Sequence, residues 1–389
     1  MRNVSDNSVR SAAAVIGVGT TAYGRFPGET CDSLATAALH SALDDAGLAT
    51  SDLDGLITMR TNGYESFATV NAIEPRWTAT VPAEGRMTGP AIGLALSAIA
   101  TGQANTVALV YGNDGRSGGH SYGGGGARAA QAAEGYGTTP ELTAPVGMTS
   151  PGAFYALMFQ RHSAEFGTSA EALSTIARTF REHAGRNRAA VFRDPLTAEQ
   201  YTNGRHIVEP LRIYDYCLIN DGGVALILTA SDRARDTPQP PVYVRAVAQQ
   251  ARLVEASFPP GDYWHSALAA VGSQAYAMAG CGRGDIDVLQ VYDNFSPNVL
   301  FSLEGLGFCQ RGESEGWVRD GHLGLDGDLP TNTSGGHLSE SYMQGWALNV
   351  EAVRQIRGGL GDRQVDGATL AQYVCAAPIV SSVIYGAEP

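Results

Sequence analysis

The chain has 389 residues, 44% of them hydrophobic and 17% charged, enough apolar material to bury a large core and too much for a disordered or disulfide-stapled chain. Its 39 acidic and 26 basic residues leave a net charge of −13, which argues against a nucleic-acid or anionic-membrane surface and for small molecules or proteins as partners. All 26 basic residues are Arg, and the absence of Lys excludes Schiff-base chemistry, pyridoxal-phosphate attachment and the P-loop lysine. Five cysteines (Cys31, Cys217, Cys281, Cys309, Cys375) stand far apart without a CxxC pair, and eight histidines are scattered. Neither a disulfide framework nor a metal cluster is expected, and a reducing cytoplasm fits. The first residues lack a signal peptide's apolar stretch, and no run of about 18 apolar residues predicts a membrane span.

Taken in chain order, AAAVIGVGTTAYGR from Ala12 reads as a buried parallel strand, and LATAALHSALDDAGL has apolar residues at helical spacing, with a Gly stop at Gly47. Ser51-Asp52-Leu53-Asp54 then leads into the strand-like GLITM. AIGLALSAIATG (helix) and TVALVYGN (strand) follow. The region from about 115 to 205 changes character. It holds a Gly-rich stretch at Gly123–Gly126, read as a loop rather than a phosphate cradle, then two amphipathic helices, FYALMFQRHSAEFG and ALSTIARTFREHA. From Pro241 the first pattern recurs: VYVRAVAQQARL (strand), YWHSALAAVGSQAYAMAG (helix), a Gly stop, then Asp285-Ile286-Asp287 and VLQVY. The offset is 233 residues. GWALNVEAVRQIRGG and ATLAQYVCAAP repeat the second helix and strand. Two β-α-β-α-β units in one chain imply a pseudo-twofold, doubly wound α/β protein.

The repeat, the insertion and several motifs together resemble the thiolase superfamily, and within it the sterol-carrier-protein-X or lipid-transfer-type branch, over nearly the whole chain. The motifs are RTFREHAGRNRAAVFRDPLTAEQY, IVEPLRIYDYCLINDGGVALIL, YDNFSPNVLFSLEGLGFCQRGE and NTSGGHLSESYMQGWALNVEAVRQIRG. The resemblance implies a thiolase fold, layered α/β/α/β/α, with an inserted helical loop subdomain. The implied division is residues 1–114 plus 206–238 for the first half, 115–205 for the insertion on the coenzyme A side, and 239–389 for the second half.

Departures from the thiolase pattern decide the chemistry that the resemblance implies. The nucleophilic Cys of thiolases falls at about Gly85, and without that thiol no acyl-enzyme forms. The Asn of the Asn-Glu-Ala-Phe motif is replaced by Tyr292, in Tyr292-Asp293-Asn294-Phe295, and the Gly-His-Pro histidine by Tyr342, ten residues after Asn332. This paired replacement resembles the lipid-transfer-type steroid side-chain aldolases. It implies retro-aldol cleavage of a 17-hydroxy steroid bearing a three-carbon acyl-CoA chain, giving a 17-ketosteroid and propionyl-CoA.

Such a step needs a base, an acid and donors for a thioester enolate, but neither a nucleophile nor a bound cofactor; coenzyme A enters as part of the substrate. Tyr292 and Tyr342 are the candidate base and acid, in an order the sequence leaves open, and His337 is the neighbour able to tune or replace one of them. Asn294, Gly335 and Gly336 are further candidates for substrate contact, and Arg181, Arg186 and Arg188 for the CoA phosphates. Phe295, Phe301, Phe308, Trp317 and Trp346 are expected to line a sterol pocket or an interface, while Cys375 reads as a buried structural thiol. The implied partners are a second copy of the chain and a small OB-fold and zinc-ribbon protein, with the zinc in that partner. Two other functions on the same scaffold stay open: a thiolase-like acyltransferase, and a non-catalytic acyl-CoA or lipid carrier subunit.

Overall fold

The computed structural model describes residues 11–119, 144–148, 150–253 and 258–389. The Gly123–Gly126 loop lies outside the described residues. The first half runs β1 (Ala13–Thr20), α1 (Cys31–Ala46), β2 (Gly55–Met59), α2 (Tyr64–Val70), β3 (Trp77–Val81), α3 (Thr88–Ala100) and β4 (Thr106–Asp114). After it come α4 (Pro151–Phe166), α5 (Ala170–Gly185), α6 (Ala198–Thr202), a small hairpin of β5 (His206–Val208) and β6 (Leu211–Arg212), and β7 (Asp221–Ala230). The second half comprises β8 (Val242–Ala251), α7 (His265–Ala279), β9 (Val288–Val291), α8 (Pro297–Leu306), α9 (Ser314–Arg319), α10 (Gly336–Ser339), α11 (Trp346–Arg357), β10 (Leu370–Cys375) and β11 (Ile379–Gly386).

Nine strands follow the order β3-β2-β4-β7-β1-β8-β11-β10-β9. The order is a palindrome of the two halves, joined where β1 meets β8 through only Ala14–Tyr243 and Val15–Val242. A lone bridge from Thr331 to Leu289 stands beside β9 where β3 stands beside β2. Helices α3 and α11 touch strands of both halves and form the middle layer, while α1 covers the outer face of the first half and α7 that of the second. The helical insertion packs on the second half. Tyr155, Phe159 and Phe180 share a core with Trp264, Phe301 and Leu306.

Both aspartates of each repeated motif do the same work in either half. Asp52 accepts from the Ala49 N–H at 2.8 Å, and Asp285 from the Gly282 N–H at 2.7 Å. Asp54 accepts from the Asn105 and Thr106 N–H groups opening β4, at 2.7 and 2.8 Å. Asp287 accepts from the Thr369 and Leu370 N–H groups opening β10, at 2.8 and 2.9 Å. Each carboxylate satisfies strand-edge donors that the loop leaves unpaired. Gly47 and Gly280 end their helices at φ 66° and 64°, left-handed values that glycine adopts without strain.

One expectation is corrected. β1 is buried up to its last residue, the half-buried Thr20, but it is antiparallel to both β7 and β8. Helices cover both faces of the sheet, so an interior antiparallel strand carries the same unbroken apolar run as a parallel one. The sheet is mixed, parallel only along β3-β2-β4 and β10-β9.

Candidate active site

Tyr292 is the first residue after β9 and Tyr342 lies four residues before α11, so the two tyrosines come from neighbouring strand and helix ends of the second half. The Tyr292 N–H donates to the Val374 carbonyl at 2.8 Å, extending the β9–β10 ladder by one rung. Asn332, in the left-handed region at φ 49°, mimics a missing strand, its carboxamide accepting from the Val291 N–H at 2.7 Å and donating to the Val291 carbonyl at 2.9 Å. The Tyr342 N–H donates to the Asn220 side chain at 2.7 Å. Thus fixed, the two phenol oxygens stand 2.8 Å apart, with the tyrosines 3% and 2% exposed. That distance is a short hydroxyl–hydroxyl hydrogen bond in a site closed to bulk water.

His337 packs edge-on against both phenol rings, with centroids 4.8 Å from Tyr292 and 5.1 Å from Tyr342. Its Nε2 accepts from the Gly345 N–H at 3.1 Å, which leaves the proton on Nδ1, 3.4 Å from Asp293 Oδ1. Burial drives His337 down to about 3, so the ring is neutral. Burial also raises Asp293 to about 7, against the hydrogen bonds it accepts from the His337 and Leu338 N–H groups. With both ring nitrogens turned to Gly345 and Asp293, His337 braces the tyrosines through its ring.

The other candidates fall into two groups. Asn294, buried, accepts from Asn298 Nδ2 at 3.1 Å and, through its carbonyl, from the Cys217 N–H at 3.0 Å, which makes it part of the turn. Gly336, at φ 61°, lets the chain pass Asp293: a Cβ there would lie 2.3 Å from Asp293 Oδ2. Gly335 likewise clears Ala184. Both glycines serve backbone approach beside the pair.

The arginines lie outside this centre. Arg181 donates to the Ser339 hydroxyl at 2.9 Å, at the end of the short helix carrying His337, and lies over the Phe192 ring. Arg186 pairs with Glu182 at 3.1 Å and borders an open cavity of about 370 Å³ whose rim includes Asp320, Asp326 and Asp328, an acidic setting ill suited to phosphate. None of Tyr292, His337 or Tyr342 lines that cavity. Arg188 is exposed.

The expected aromatic lining is corrected for Phe301 and Trp346, which are 1% and 0% exposed and belong to two different cores. Phe301 stacks on Tyr263 and Trp346 on Tyr111. Cys375 is buried, and burial pushes its thiol up to about 12, so it stays protonated.

Sequence reasoning missed Asn220 and Gln344. Asn220 orients Tyr342, as above. Gln344 adopts φ 49°, donates to the Ala83 carbonyl at 3.1 Å and accepts from the Thr88 hydroxyl at 2.6 Å through its own carbonyl, tying the start of α11 to the turn before α3. Gln344 precedes Gly345 (φ 90°), and a residue-Gly pair before a helix was the available signal of a tight approach.

Residues 256–383 match the family described as Thiolase C-terminal domain-like. The chain is 34% identical, over 97% of its length and 98% of the other, to the steroid side-chain-cleaving aldolase of Thermomonospora curvata. The chain belongs to the thiolase superfamily. This thiolase-superfamily chain is also 35% identical, over 89% of its length and 92% of the other, to the 17-hydroxy-3-oxo-4-pregnene-20-carboxyl-CoA lyase of Mycobacterium tuberculosis. An acetyl-CoA acetyltransferase of Methanothermobacter thermautotrophicus is 31% identical over 92% of this chain and 94% of that one. Among solved structures, the Ltp2-ChsH2(DUF35) aldolase superposes with a TM-score of 0.86 at 33% identity, covering 97% of this chain and 98% of that one. Human mitochondrial 3-ketoacyl-CoA thiolase, at 14% identity and a TM-score of 0.72 over 98% of this chain, shares the fold.

Proposed function

We propose that this chain is a retro-aldol carbon–carbon lyase acting on a β-hydroxyacyl-CoA steroid, with Tyr292 and Tyr342 as its proton-transfer pair. The observation that carries the reading is the 2.8 Å contact between the two buried phenols. The nearly full-length likeness to two lyases of this chemistry supports it, and their substrate class is the one we assign.

The reaction balances with one proton. A phenolate of the pair takes the proton of the 17-hydroxyl as the carbonyl forms, the bond to the α-carbon breaks, and its electron pair moves into the thioester enolate. The other phenol then protonates the α-carbon, and the proton just taken passes across the 2.8 Å hydrogen bond to restore the pair. The products are a 17-ketosteroid and propionyl-CoA. Whichever tyrosine is ionised, its partner's hydroxyl donates to it, and a hydrogen bond to a charged group contributes roughly 1.5–3 kcal/mol. Neutral His337 supplies packing rather than charge.

An acyl-transfer reading requires a nucleophile where Gly85 stands, and the Tyr292 hydroxyl lies against that residue. The named complex among the solved relatives supports a DUF35 partner for this chain, read here as a small OB-fold and zinc-ribbon protein alongside a second copy of the chain. Incubation of the purified chain, alone and with that partner, with a 17-hydroxy steroid acyl-CoA is expected to release ketosteroid and propionyl-CoA. Intact substrate in both mixtures contradicts the reading.

A further inference from the structure

Glycine at position 85 is not explained by its backbone. Gly85 opens a single 3-10 turn, Gly85–Met87, and is not among the glycines with positive φ. Any residue adopts that conformation, and alanine is preferred to glycine in helical positions by roughly 0.5–1 kcal/mol. What forbids a side chain is space. A Cβ at position 85 would lie 1.8 Å from the Tyr292 hydroxyl oxygen, 2.3 Å from its Cζ and 2.5 Å from its Cε2. These are bond-like distances, and even the ring without its hydroxyl occupies the place.

Tyr292 has little room to retreat. The His337 ring packs edge-on against it, and Gly345 lies along the same ring edge as Gly85, where a Cβ would stand 3.4 Å from Tyr292 Cδ2. The tyrosine is 3% exposed, so a swing toward solvent would break both the packing and the hydrogen bond to Tyr342. Gly85 belongs to the first half, on the turn before α3, whereas Tyr292, Tyr342 and Gly345 belong to the second. The phenol pair is therefore framed by backbone from both halves.

We propose that Gly85 is a positioning residue for the cleavage: its missing side chain is the seat of the Tyr292 hydroxyl, and it sets the register of the phenol pair. The proposal rests on the retro-aldol reading for its catalytic consequence but not for its steric one. The test is a double-mutant cycle of Gly85→Ala and Tyr292→Ala in the full chain, read by thermal unfolding, with steady-state kinetics and substrate affinity measured for Gly85→Ala. Gly85→Ala is expected to lower the midpoint in the Tyr292 background and to leave it unchanged or raise it in the Tyr292→Ala background, where the methyl has room. With the chain folded, Gly85→Ala should lower kcat by about 100-fold, the size of effect a 1 Å misplacement produces, while substrate affinity stays within about threefold. Undiminished kcat, or an equal loss of midpoint or of folding in both backgrounds, overturns the proposal. A wild-type chain that cleaves nothing defeats the retro-aldol reading, and the unfolding cycle still decides the seat.

Discussion

At the scale of single residues, the site rests on a few buried polar groups centred on the hydrogen bond between Tyr292 and Tyr342. Tyr292→Phe and Tyr342→Phe each remove one hydroxyl of the hydrogen bond between them, leaving the rings packed on His337. Each substitution is expected to lower kcat by about 10²–10⁴-fold, the range typical of a lost general acid or base, with a stability change within about 1.5 kcal/mol. Kinetics and urea unfolding on the same preparations separate the two effects. Glu340 gives a pH prediction two residues from Tyr342. It accepts from Asn187 and Ser334 at 3.0 and 2.7 Å. Burial raises it from 4.5 to about 8, with the charge of Glu351 adding to the rise. The folded state thus holds a proton that the unfolded chain releases. The resulting stabilisation is present below about pH 4.5 and is lost as the pH rises through about 8. Glu340→Gln carries no such proton. Relative to wild type its stability should improve by on the order of 1–3 kcal/mol between those limits, seen as a gap between two pH–denaturation curves that widens with pH. A constant gap contradicts the assignment.

At the scale of elements, the repeated aspartates make the internal symmetry testable. Asp54→Ala and Asp287→Ala each strand two backbone N–H groups at the start of an inner strand. Each is expected to cost roughly 1–3 kcal/mol in urea unfolding, and the losses should add because the carboxylates share no partner. A negligible loss at either site would show that the motif's recurrence has no structural work behind it. These elements were legible because the repeat keeps both the Gly stop and the two acids in register, and both needs are local. The direction of β1 was not. A strand covered on both faces shows no alternation, so periodicity carries no information about whether its neighbours run with it or against it. The role of Asn332 as a substitute strand edge was hidden for a related reason: it depends on a left-handed backbone and on Val291, far away in sequence.

At the scale of the whole molecule, two halves of one chain face each other across the middle helices α3 and α11, and the phenol pair lies where the first half's turn at Gly85 meets the second half's strand and helix ends. The tyrosines themselves were reached through the resemblance, from the residues that replace a thiolase's Asn and His. Composition and spacing alone give no reason to prefer them over the other fourteen tyrosines. The seat at Gly85 was invisible in the sequence because it joins residues over two hundred positions apart. Likewise, the neutral state of His337 follows from complete burial, which no local pattern reveals.

The most direct test of the central claim is mass analysis of the CoA product after turnover in heavy water, for wild type, Tyr292→Phe and Tyr342→Phe, each with a DUF35 protein added. The account predicts a ketosteroid and propionyl-CoA carrying one deuterium at the α-carbon from wild type, and product reduced by at least about 100-fold from both variants. Wild-type rates from either variant, or an acyl group left on the protein in place of free propionyl-CoA, would contradict a tyrosine-driven retro-aldol cleavage.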